Sequence, residues 1–143
     1  MNDRLAEYLK CKMGLLLSSQ VCVITFYAGQ VACINSAIKS SNTIKNDGLR
    51  VMTVDSFQGS ECDVVILSFV RNNSRGSVGF VKDYQRLNVA LTRARHLLIC
   101  VGCAATLLAG KSNNSTEQNH LSNIIIDAKS RGRFFVESEL SFV

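Results

Sequence analysis

The chain has 143 residues, 47% of them hydrophobic and 19% charged, with six cysteines, no proline and a formal charge of +5. That length and balance suit one globular domain with its own core and exclude a disordered segment or a disulfide-stapled miniprotein. No apolar run approaches the ~20 residues of a membrane span, and the start MNDRLAEYLK has charges where a signal peptide is expected to carry a continuous apolar stretch. The expected setting is therefore intracellular, cytoplasmic or nuclear, and the basic balance mildly favours a polyanionic partner.

Taken in chain order, Leu5 to Leu17 has helical spacing. Val21 to Phe26 is a short β-branched run that predicts a strand. Gln30 to Ile38 carries Val31, Ile34, Ala37 and Ile38 at helical intervals. Leu49 to Val54 and Val64 to Val70 predict two further strands. Asp83 to Ala94 predicts a helix capped by Asp83, with Leu87, Ala90, Leu91 and Ala94 as its buried stripe. His96 to Val101 predicts a fourth strand and Leu121 to Arg131 a last helix. The strands are almost continuously apolar, as strands covered on both faces are. The expected fold is α/β, a mostly parallel sheet flanked by helices. Asn72 to Asp83 and Gly110 to Asn119 read as polar connections.

Two suggestive patterns carry little. Cys100 and Cys103 form a lone CxxC, a weak zinc signal beside the reading of Cys100 as a small buried hydrophobe. The run AGKS at 109–112 imitates the end of a Walker A loop. The full motif needs a glycine where Ala105 stands, after a strand and before an apolar helix. No Walker A occurs elsewhere, so the chain is not expected to hold ATP phosphates unaided.

Two constellations do carry chemistry. In TVDSFQGSE at 53–61, Thr53 and Ser56 offer hydroxyls, Gln58 an amide, and Glu61 an acceptor pair suited to vicinal hydroxyls. Gly59 permits a turn that a side chain would block. These residues alone equally admit a turn whose polar groups satisfy one another. In DYQRLNVALTRAR at 83–95, Arg86 and Arg93 are seven apart, so one helix would project both in nearly the same direction. A guanidinium at a helix edge suits a phosphate across a cleft; the other reading is two solvated arginines.

VDSFQGSECDVVILSFVRNN followed by GFVKDYQRLNVALTRARHLLICVG resembles motifs V and VI of superfamily 1B helicases, nearest to the nonsense-mediated-decay RNA helicase and senataxin group. VCVITFYAGQV resembles that group's motif IV, although Phe26 stands where the family usually has proline. The likeness runs from about Val21 to Gly102. It implies that residues 1–143 form the second RecA-like domain of an ATP-dependent RNA or DNA helicase and are a piece of a longer protein. Motifs I to III, which would supply the P-loop, the magnesium carboxylate and the catalytic base, are not in these residues. By this resemblance Arg93 is the arginine finger, and Glu61, Gly59, Gln58 and Arg86 serve the nucleotide side. Thr25, Thr53 and Ser56 would lie along a single strand of RNA or DNA. ATP with Mg2+ would be shared with the first RecA-like domain, and no metal ligand is expected here. The alternative function is a non-enzymatic nucleic-acid-binding or protein-docking module.

Overall fold

The computed structural model describes residues 20–40, 48–70, 79, 83–109 and 120–136. Four strands, β1 (Val21–Thr25), β2 (Arg50–Thr53), β3 (Cys62–Ser68) and β4 (Ala94–Val101), form one parallel sheet in the order β2-β1-β3-β4. Four described helices accompany it: α1 (Ala28–Ser40), α2 (Tyr84–Leu91), α3 (Ala104–Leu108) and α4 (His120–Ser130).

The period of two along each strand sorts side chains onto two faces. Val21, Val23, Val64 and Ile66 make one core layer, with Ile34 of α1 packed against it. Cys22, Ile24, Val65 and Leu67 face the other way and meet Leu87 and Ala90 of α2, Leu107 of α3, and Leu121 and Ile125 of α4. Helices thus lie on both faces, and this explains why β1 and β3 are almost uniformly buried. The architecture is the α/β, RecA-like one expected from the sequence.

Boundaries differ from the sequence reading where local hydrogen bonds override periodicity. The helix predicted to reach Ala94 stops at Leu91. Thr92 folds its hydroxyl back onto the carbonyls of Asn88 (2.9 Å) and Val89 (3.3 Å). The Arg93 carbonyl then accepts from the Cys62 N–H at 3.1 Å, so β4 begins at Ala94 instead of His96. Ala94 still joins the core, but from the strand. The third strand starts two residues earlier than predicted, at Cys62, and ends at Ser68. Val70 sits at φ 61°, a left-handed conformation that a β-branched residue rarely adopts, and this turns the chain out of the sheet. Gly102 allows close packing after β4: a Cβ there would lie 3.0 Å from Cβ of Phe69. The predicted helix at Leu5 to Leu17 lies outside the described residues. So do most of Asn72 to Asp83 and all of Gly110 to Asn119.

Candidate functional site

Residues 54–61 leave the C-terminal end of β2 and enter the N-terminal start of β3. Because the strands are parallel, this segment crosses from one edge of the sheet to the other. Its fixed point is Phe57, fully buried in the larger core. Backbone turns surround it: Phe57 donates to the Thr53 carbonyl at 3.0 Å, and Ser60 donates to the Phe57 carbonyl at 3.0 Å. The Arg50 guanidinium carbon lies 5.4 Å from the Phe57 ring centroid, within cation–π range. Gly59 adopts φ +80° with open space around it, so conformation and not crowding favours glycine.

The C-terminal edge carries hydroxyls. Strand register aligns Thr53, Thr25 and Ser68, the last residues of three adjacent strands, on one face. Thr53 Oγ1 accepts the Ser56 N–H at 3.1 Å and lies 2.7 Å from the Ser56 hydroxyl. The two residues therefore satisfy one another, as the more modest reading of the turn allowed, while remaining at the surface. Thr25 departs from its expected role. It is 0% exposed, at the end of a central strand, and its hydroxyl has no hydrogen-bond partner. In this conformation it cannot touch a nucleic-acid strand.

Arg86 belongs to this edge as well. It pairs with Asp55 at 3.1 Å and with Asp83 at 3.8 Å. Asp83 also caps α2, accepting the N–H groups of Gln85 (3.0 Å) and Arg86 (3.3 Å). The expectation that Arg86 and Arg93 share one helical face is corrected: Arg93 lies beyond the end of α2, at the opposite edge of the sheet. Its carbonyl is already tied to β3 through the Cys62 N–H.

The N-terminal edge gathers Ser60, Glu61, Asp63, Arg93 and Arg95, with Gln58 and Gly59 on the approach. Arg93 Nε donates to the Val89 carbonyl at 2.9 Å and Nη1 to the Ser60 carbonyl at 3.2 Å; Nη2 donates to the Thr92 hydroxyl at 3.3 Å. It is a strut between the end of α2 and the 54–61 segment. Glu61 accepts from Arg95 Nε at 3.2 Å. Sequence reasoning missed Arg95 and gave no role to Phe57. A buried aromatic in a polar turn was the available signal for Phe57; Arg95 had none.

The residues fit half of a nucleotide site. The edge presents the Glu61 carboxylate, of a kind suited to sugar hydroxyls, and the Arg93 guanidinium, of a kind suited to phosphate, while Arg95 is paired with Glu61 and Asp63. The five described cysteines are free thiols, and burial pushes the Cys22 thiol up to about 11, which makes it an inert core group. Among the described residues no group of three or more His, Cys, Asp or Glu side chains could hold a metal ion. No described helix is long and apolar enough to cross a membrane.

A family model described as an AAA domain matches residues 3–105. Regulator of nonsense transcripts 1 of Dictyostelium discoideum is 47% identical over 94 residues, 64% of this chain and 7% of that protein. The human DNA replication ATP-dependent helicase/nuclease DNA2 is 40% identical over 116 residues, 79% of this chain and 10% of its own length. Human NFX1-type zinc finger-containing protein 1 is 38% identical over 98 residues, covering 68% and 5% respectively. The chain thus spans at most a tenth of the length of these relatives. With a family model matched over most of its length and relatives of this kind, the chain belongs to the AAA-domain family and, within it, to the superfamily 1 helicases of the branch that contains regulator of nonsense transcripts 1.

Proposed function

We propose that this chain is the second RecA-like motor domain of an intracellular ATP-dependent helicase or translocase acting on RNA or DNA. One observation carries the reading. A single eight-residue segment, 54–61, joins the edge bearing the Thr53 and Ser56 hydroxyls to the edge bearing Arg93 and Glu61. A displacement at one edge is passed to the other through a short path anchored by Phe57.

The nucleotide edge completes a cleft with a first RecA-like domain, whose P-loop and acidic residues hold ATP and Mg2+. The metal neutralises phosphate charge there. On this side Glu61 accepts hydrogen bonds from sugar hydroxyls, and Gln58 and Gly59 form the turn that brings it into place. Arg93 exchanges its internal partners for phosphate oxygens and stabilises charge that develops during phosphoryl transfer. Thr53 and Ser56 give hydroxyls to strand phosphates, contacts that position a strand without reading its sequence. Arg86, paired with Asp55 and Asp83, braces the strand-side end of the segment. The chain alone has no hydrolytic activity on this reading.

Arg93→Ala and Arg93→Lys test it in the protein that joins this domain to its nucleotide-binding half. Both variants are expected to lower single-strand-stimulated kcat by ~10³-fold, the usual scale for loss of such an arginine. KM for ATP should change little. Normal turnover in Arg93→Ala would show that Arg93 is only a strut.

A further inference from the structure

Parallel strands β3 and β4 fall out of step at their N-terminal ends. Cys62 pairs with Ala94, but Val64 pairs with Leu97, so two residues of β4 oppose the single residue Asp63. This is a β-bulge, uncommon in parallel pairs and apt to re-aim a side chain beside a functional site. In a regular strand, Arg95 and His96 would point to opposite faces. Here both reach the same carboxylate: Arg95 Nη1 lies 3.8 Å and His96 Nε2 3.9 Å from Asp63 Oδ1. Gln20 Nε2 donates to the other Asp63 oxygen at 3.4 Å. Thus held, the Arg95 fork turns its Nε toward Glu61 Oε2 at 3.2 Å. The second Glu61 oxygen, Oε1, has no partner among the described residues.

We propose that Arg95, re-aimed by the bulge, is a positioning residue that fixes the Glu61 carboxylate for the nucleotide's sugar and so sets the preference for a ribonucleotide. This rests on the reading of Glu61 given above. Arg95 occupies one oxygen and leaves the other for a hydroxyl. Both side chains are about half exposed, at 58% and 51%, and an exposed pair of this kind adds little to stability. Its effect therefore belongs in substrate selection and not in the melting temperature.

The test compares ATP with 2′-deoxy-ATP and 3′-deoxy-ATP as substrates of the protein that joins this domain to its nucleotide-binding half. The parent should prefer ATP to at least one analogue. Arg95→Met should raise KM for ATP about three- to tenfold, the size of one weakened charge-assisted hydrogen bond. KM for the disfavoured analogue, kcat and the melting temperature should stay near their starting values. Arg95→Lys should restore part of the preference. Glu61→Ala should lose the preference outright. If Glu61→Ala loses it and Arg95→Met keeps it, the role given to Arg95 is overturned and that of Glu61 stands. A preference that survives Glu61→Ala, or is absent from the parent, overturns both.

Discussion

The Thr25 hydroxyl is buried with no hydrogen-bond partner, in register with Thr53 on one side and Ser68 on the other. A buried unpaired hydroxyl costs the fold about 1–3 kcal/mol, and valine has nearly the same shape without it. Thr25→Val is therefore expected to raise the free energy of unfolding by about 1 kcal/mol in a denaturant titration. A loss of stability instead would mean that the hydroxyl is satisfied in solution. The same variant should bind single-stranded RNA within about twofold of the parent, because phosphate contacts come from groups at the surface. A much larger loss would return Thr25 to the strand-binding set. Arg93 shows the converse case. Its three internal hydrogen bonds give it a structural role that no spacing argument supplied.

Among the elements, α2 joins the two edges on the same face of the sheet as Phe57, with its capped start near Asp55 and its end beside Ser60. Removing the cap with Asp83→Ala should cost about 1 kcal/mol of stability. Asp83→Asn keeps an acceptor for the Gln85 and Arg86 N–H groups and should cost only a few tenths. Equal losses in thermal unfolding would assign the effect to the Arg86 ion pair and not to the cap. The central strands β1 and β3 were legible because burial on both faces writes itself as unbroken apolar runs; the outer strands β2 and β4 are only partly buried and were legible from their apolar composition alone, and α2 from Leu87 and Ala90. Its end was not. Thr92 and Arg93 fit the helical pattern equally well, and the helix ends where the Arg93 carbonyl accepts the Cys62 N–H and the chain joins the sheet, a long-range bond. The bulge at Asp63 was equally hidden, since period-two reasoning places Arg95 and His96 on opposite faces. The polar residues of 53–61 stood out as a cluster. Their division into two edges follows from parallel strand order, which a single sequence does not state.

At the scale of the whole molecule, the sheet acts as a plate with different chemistry at its two ends. Hydroxyls lie at the C-terminal edge; two carboxylates, Glu61 and Asp63, and two arginines, Arg93 and Arg95, lie at the N-terminal edge. Phe57 and α2 tie the ends together through the larger core. On the proposed function, such a plate transmits motion between a strand and a nucleotide and supplies one wall of the nucleotide cleft. The central claim is that division of labour, and the most direct measurement is ATP hydrolysis by this chain alone and joined to a nucleotide-binding half, each with and without single-stranded RNA or DNA. The account predicts no turnover by the chain alone, and strand-stimulated turnover of about 1–100 per second when the halves are joined. Appreciable hydrolysis by the chain alone would contradict it.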